Sequence, residues 1–410
     1  MKTDAQNLQA LASRYGTPLW VYDAAVIRSQ VTRLKGFDPI RYAQKANGNL
    51  HLLRLMRELG VSVDAVSSGE LERARRAGYE LRQGDRQDVV FTADAFSGDS
   101  LEQVALNGIA VNAGSLEMLE QLGRISPGHG VWLRVNPGFG HGHHQKTNTG
   151  GPGSKHGIWH EHVADALRII DHYRMPLLGL HMHIGSGADM LHLGRVCDAM
   201  LSVGLGVKRP VPAISAGGGI GTSGPVSNDA DLDAYARQWR RVADQLESHY
   251  GTRPRTEIEP GRFLVGPAGL LLTRVCATKA TPDHHFAIVD AGMSELIRPA
   301  LYGSAHRIEV VRKNAGPIGA VRPTIVAGPL CESGDVFTQA DGGHLAPIEL
   351  EPLATGDLMA IHDVGAYGSA MSSNYNSRPL AAELLLDGSE ERLIRRRQSM
   401  DDMLCLELDT

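Results

Sequence analysis

The segment Tyr42-Ala43-Gln44-Lys45-Ala46-Asn47-Gly48-Asn49 sets one lysine at the end of a β-type run, just before small and turn-forming residues. A lysine at the C-terminal end of a strand stands where a barrel presents its chemistry. Once desolvated, its amine can attack an aldehyde; the ordinary fate of a lone lysine there is to be solvated. His181-Met182-His183-Ile184-Gly185-Ser186-Gly187 puts two imidazoles on one face of a strand. They suit a metal, or a ring stacked on a flat partner while Ser186 binds an anion, or a plain core histidine. Gly217-Gly218-Gly219-Ile220-Gly221 is side-chain-free backbone whose N–H groups can converge on a phosphate. No Lys-Ser/Thr pair follows it at the spacing of a nucleotide-binding Walker loop.

Glu259-Pro260-Gly261-Arg262 joins a carboxylate to an arginine. They form either a structural ion pair, or a carboxylate that keeps a ring nitrogen protonated beside an arginine that grips an anion. Gly328-Pro329-Leu330-Cys331-Glu332-Ser333-Gly334-Asp335 places a thiol beside a carboxylate in a turn. Such a thiol can hand over a proton or simply pack as a small apolar residue. The stretches holding Arg298 and Tyr302, and Tyr367 and Arg378, mix arginine, tyrosine and small residues as anion-binding loops do. His141-Gly142-His143-His144 looks like a metal tract, yet it lies in a long loop of Gly, Asn and Thr, residues 138–157. No Cys or carboxylate nearby completes a ligand set, so a mobile active-site loop, without a metal, is expected there.

These residues need elements to hold them. β-type runs occur at Ile40–Lys45, Ser62–Val66, Val89–Thr92, Ile109–Asn112, Val131–Val135, Leu177–His183, Ala213–Ala216 and Arg255–Glu259, with helical spacing between most of them. Strands separated by crossovers of helical length predict an α/β protein with a TIM-type (β/α)8 barrel over residues 30–265. A doubly wound open sheet competes. The barrel is favoured because Gly-rich polar sequence recurs after many strands and not at one switch point. From Gly266 onward, runs such as Leu270–Ala277, His285–Val289, Thr324–Val326 and Leu358–His362 are parted by Gly/Pro/Asp turns, an all-β signature. Residues 1–29, with a short helix and the strand-like Thr17–Asp23, join 266–410 in that β domain, and Ser399–Leu408 returns to helical spacing.

At 410 residues the chain is long enough for two domains. A net charge of −5 with both signs interspersed offers no basic face, which excludes a nucleic-acid partner. No segment reaches the apolar length of a membrane span. Four scattered cysteines form no CxxC pair or disulfide framework, and the first residues lack the apolar run of a signal peptide. A reducing cytoplasm is the expected compartment.

Taken together, the motifs from Tyr42-Ala43-Gln44-Lys45-Ala46-Asn47 to Asn374-Tyr375-Asn376-Ser377-Arg378-Pro379 resemble the diaminopimelate decarboxylase family, barrel-type pyridoxal-phosphate decarboxylases. The loop Thr147-Asn148-Thr149-Gly150-Gly151 to Ser154-Lys155-His156-Gly157 is most similar to the enterobacterial form. Ornithine decarboxylases and alanine racemases share the barrel but differ at Cys331-Glu332-Ser333-Gly334-Asp335. The resemblance implies pyridoxal 5'-phosphate as cofactor, linked covalently to Lys45, with His183 stacked on its ring and Glu259 on the ring nitrogen. Ser186, Gly217, Gly218, Gly219 and Tyr367 would bind or frame the phosphate, and Gly261 would contact the cofactor. Arg262 would lie where phosphate and substrate meet, and Arg298, Tyr302, Glu332 and Tyr367 would contact the substrate. Cys331 would return a proton to the decarboxylated carbon, supplied by the partner subunit of a head-to-tail homodimer. Asp64 and Arg134 match supporting positions. The implied reaction converts meso-2,6-diaminopimelate to L-lysine; the rivals are decarboxylation of ornithine or arginine, and a silent cofactor-binding protein. Two positions depart from the family pattern: Ser215-Ala216 stands where many members have Asp before the glycines, and Gly48 where Ser is frequent.

Overall fold

A computed structural model describes residues 4–82, 87–141, 148–187, 189–222, 227–312 and 319–408. The chain divides into two units, Arg28–Leu264 and Met1–Ile27 with Val265–Thr410.

In the first unit, eight parallel strands stand in chain order: Arg41–Ala43, Ser62–Ala65, Val89–Ala93, Ala110–Ala113, Val131–Asn136, Leu177–His181, Ala213–Ser215 and Arg255–Glu257. The Arg41 amide donates to the Ile258 carbonyl at 2.8 Å, and Ile40 bridges Ile258 in parallel. Last strand therefore meets first, and the sheet closes into the (β/α)8 barrel; the open-sheet alternative falls. Helices cover the strands, so a strand such as Ser62–Ala65 is buried at every position. The helices start and stop on local chemistry. Ser67 accepts a hydrogen bond from the Glu70 amide to begin Ser68–Ala77, and Gly78, at φ +95°, ends it.

The second unit is a nine-stranded sheet. The strand Leu19–Asp23 runs antiparallel to Gly269–Ala280 on one side and parallel to Ala382–Asp387 on the other. Hydrogen bonding on both edges is what ties the N-terminal segment to the C-terminal half. The helix Ala5–Tyr15 adds Leu8, Leu11 and Ala12, one face at helical spacing, to a core of Leu19, Val21, Leu270, Leu272, Leu358 and Leu384.

The stretch after residue 266 is not free of helix, contrary to expectation. Arg298–Tyr302 forms one helical turn, opened by Pro299 and stopped by Gly303 at φ +58°. Five residues are too few to show a 3.6-residue period, so the pattern was invisible. The terminal helix is shorter than expected, Met400–Leu404, fixed by a capping box between Ser399 and Asp402. Leu406 and Leu408, which prolong the apolar spacing, are exposed. Among the described residues no helix is long and apolar enough to cross a membrane.

Candidate active site

In the barrel unit, Lys45 occupies a 3-10 turn, Gln44–Ala46, directly after the first strand. Its two neighbours are buried while Lys45 is exposed. The barrel side chains thus do not supply the desolvation anticipated for its amine. The turn is pinned from several sides. Tyr42 Oη donates to the Asn47 carbonyl at 2.9 Å, and Arg73 Nη1 to that of Gly48 at 2.8 Å. Gly261 backs it so closely that a Cβ there would sit 3.1 Å from the Ala46 Cβ and 3.3 Å from the Ala43 Cβ. Gly48, a departure from the family pattern, serves by its carbonyl, which needs no serine.

The charge of Lys45 acts on Asp64, Glu70 and His183. Burial raises the Asp64 carboxyl well above its usual range, aided by repulsion from Glu259 and opposed by attraction to Lys45. Asp64 Oδ1 has no hydrogen-bond partner among the described residues. Burial, with Arg134 and Lys45 nearby, holds His183 well below the usual imidazole range, so its ring is neutral at neutral pH.

Glu259 follows the eighth strand and is buried. Its Oε2 lies 2.7 Å from His181 Nε2, and its Oε1 accepts from Ser215 Oγ at 3.3 Å. Burial opposes its charge, but attraction to His181, the hydrogen bond from it, and the cations Arg41 and Arg134 prevail, so the carboxyl stays below its usual range. Ser215 Oγ also accepts from the Gly217 amide at 3.2 Å, coupling the carboxylate to the glycine turn. This serine, which replaces the more frequent pattern before the glycines, is integrated and not neutral. The two histidines therefore separate in role. His181 orients Glu259.

The turn Gly217–Gly219 could carry no side chains. Gly217 and Gly219 have φ of +60° and +100°. Cβ atoms at Gly217, Gly218 and Gly219 would lie 2.5 Å from the Met182 carbonyl, 2.7 Å from that of Glu259 and 2.3 Å from that of Gly185. The turn is thereby wedged between His183, Gly185 and Glu259, with Gly187 N donating to the Gly219 carbonyl at 2.8 Å and Ser186 between Gly185 and Gly187 in sequence. Arg262 opens the short helix Arg262–Val265.

The barrel unit also holds what sequence motifs did not single out. Asp94 accepts from His156 Nδ1 and from the Gly157 amide (2.9 Å), anchoring the end of the 138–157 loop. Gly142, His143, His144 and Thr147 lie outside the described residues.

In the β unit, the Arg298 guanidinium lies over the rings of Tyr302 and Tyr367, 4.9 and 5.6 Å from their centroids, which brings these three expected residues together. Tyr367 adopts φ +56°, a conformation that costs a non-glycine residue energy. Cys331 and Glu332 are exposed. Their turn is set by Asp335, whose carboxylate accepts from the Leu330 amide at 2.8 Å and the Met293 amide at 2.6 Å. Asn376 Oδ1 accepts from the Cys331 amide at 3.0 Å. The bland reading of Cys331, a packed apolar residue, fails because the thiol is not packed.

The raised Asp64 carboxyl makes stability depend on pH. A folded protein that keeps a proton its unfolded chain has released loses stability as pH rises, from the ordinary carboxylate range toward the raised value. Asp64→Asn removes that loss. In the cofactor-free protein the variant should melt about 3 °C or more above wild type at about pH 7.5 and show a much smaller gain at about pH 5. Scanning calorimetry at the two pH values checks it, and an equal or reversed gain contradicts it.

The residues present fit pyridoxal phosphate. An exposed amine at a strand end, an ionised buried carboxylate, a neutral imidazole and a glycine cradle occupy one end of the barrel's strands. A family profile described as the pyridoxal-binding domain of pyridoxal-dependent decarboxylases matches residues 24–266. The diaminopimelate decarboxylase of Streptomyces coelicolor is 53% identical over 99% of this chain and 92% of its own length. That of Escherichia coli is 51% identical over 98% and 97%. A crystal structure of diaminopimelate decarboxylase superposes with a TM-score of 0.93 at 50% identity, covering 98% of this chain and 96% of the other. One from Helicobacter pylori, complexed with L-lysine, has a TM-score of 0.85 at 31% identity, covering 98% and 99%. The chain accordingly belongs to the diaminopimelate decarboxylase family of pyridoxal-dependent decarboxylases, and its cofactor is pyridoxal phosphate.

Proposed function

We propose that the protein decarboxylates meso-2,6-diaminopimelate to L-lysine and CO2, the last step of lysine biosynthesis, as a cytoplasmic homodimer. The observation that carries this reading is the match to diaminopimelate decarboxylases along nearly the whole chain, the β unit with its Cys331-Glu332 turn included.

The unit 28–264 is the cofactor-binding domain. Pyridoxal phosphate, when bound, supplies the sink for the electron pair left as CO2 departs. Lys45 Nζ, the exposed amine after the first barrel strand, would hold the cofactor through its aldehyde and would be the group to free the product amine. The neutral His183 ring stacks without adding a competing charge. Glu259 holds a proton on the ring nitrogen, and His181 and Ser215 hold Glu259. In the barrel unit, the Gly217–Gly219 turn and Ser186 would frame the phosphate, with Gly261 and Arg262 beside the cofactor. In the β unit, Arg298, Tyr302, Glu332 and Tyr367 would contact a substrate whose distal end carries both an ammonium and a carboxylate. Cys331, from the partner subunit, delivers a proton from its thiol to the carbon that lost CO2.

A site built for buried charges rejects substrates that lack them. CO2 release from meso-diaminopimelate should therefore exceed that from ornithine, arginine or lysine by roughly 10^3-fold or more in kcat/KM. Equal or better turnover of another basic amino acid transfers the protein to the rival activity. No CO2 from any of them makes it a silent binding protein.

A further inference from the structure

We propose that His141, Asp189 and His192 form a site for a zinc-type divalent cation, which clips the segment after the fifth barrel strand onto the helix after the sixth. Among the described residues this is a group whose three donor atoms, one each, lie within 4.8 Å of one another. All three residues are half-buried. The sequence offered His141 only its histidine neighbours and no carboxylate. The carboxylate comes from a different loop.

The two contributing segments are held in place independently of any ion. The His141 amide donates to the Ile184 carbonyl at 3.0 Å, and the returning arm of the loop does the same through Thr149 at 3.2 Å. Asp189 caps the helix Met190–Gly206, its Oδ1 accepting from the His192 amide at 2.9 Å. His192 Nδ1 lies 2.8 Å from the same oxygen. The His141 ring stacks on that of His192, centroids 3.8 Å apart and planes 24° apart. One turn farther along the helix, the Arg195 guanidinium lies 4.3 Å from the centroid of Phe139, a second tie between the same segments.

Two imidazoles and one carboxylate select zinc and its first-row neighbours over calcium or magnesium, which take oxygen ligands. Three protein donors leave a fourth position for water. Because the donors come from two segments, binding energy goes into closing the loop between them. The site does not involve the cofactor's residues, so it stands whether or not the proposed substrate is right.

The test counts metal. The chelator-treated, cofactor-loaded protein is dialysed against Zn2+ and the bound metal measured by atomic absorption. Wild type should bind one equivalent more per chain than the double variant His141→Ala/His192→Ala, and zinc taken up by thiols cancels in that difference. Asp189→Asn should weaken the affinity of the extra equivalent by about tenfold or more. Zn2+, but not Ca2+, should raise the Tm of wild type and leave that of the double variant unmoved. Equal stoichiometry in wild type and double variant overturns the site. If the double variant misfolds, His141→Gln, in a segment outside helix and strand, must show the same loss, and full retention of the equivalent in it overturns the site equally.

Discussion

The Lys45→Ala protein is expected to purify colourless and to lose turnover by roughly 10^3-fold or more, the scale on which removing an activated nucleophile acts. Within the turn that follows the first barrel strand, Lys45 is the one amine. Gln44 and Ala46 are buried on either side of it, so the turn presents a single side chain. The turn cannot shift to offer another, since Gly261 packs against Ala43 and Ala46. Lys45 is exposed, so truncation removes no core packing, and the melting temperature of the cofactor-free protein should stay within about 1 °C of wild type. That pairing of lost chemistry with kept stability separates a reacting group from a structural one. Lys45→Arg retains the charge near Asp64 and Glu70 but lacks a nucleophilic amine, so it should be as colourless and inactive as the alanine variant. A yellow, active protein with either substitution removes Lys45 from its role.

The barrel was legible because its signals are local. Each of the eight strands appears within a residue or two of its β-type run, and the Gly217–Gly219 turn falls where three glycines in a row require close backbone approach. Side-chain partnerships were not legible. His181 and Glu259 are 78 positions apart and meet because the sixth and eighth strands flank the seventh in the sheet. Ser215 departs from the pattern before the glycines, and its partnership with Glu259 and Gly217 depends on where its hydroxyl points. The same holds for Asp94 with His156 and for Asp189 with His141, where loops from different crossovers meet. Residue type and spacing along one strand identify a candidate; which neighbour tunes it depends on register and closure, which no window of sequence contains. The Arg298–Tyr302 turn failed for the opposite reason, being too short to leave a period at all.

Replacing Glu259 by Gln should lower kcat by about 10^2–10^3-fold, which corresponds to a loss of ~3–4 kcal/mol of transition-state stabilisation. A glutamine keeps the shape and can still bond His181 and Ser215, so what disappears is the fixed negative charge. That charge is costly to hold in a buried place, and the chain surrounds it with His181, Ser215, Arg41 and Arg134 to keep it. A protein that needed only a polar core residue here would not require the charge, since a neutral amide is easier to bury. Because Lys45 is untouched, Glu259→Gln protein should still be yellow, and its KM should stay within about threefold of wild type, as expected when an interaction is made chiefly in the transition state. Glu259→Asp restores the charge on a shorter arm and should recover part of the lost rate. A Gln variant within about threefold of wild type in kcat would reduce Glu259 to a structural ion pair with His181, the plainer reading of the Glu259-Pro260-Gly261-Arg262 stretch.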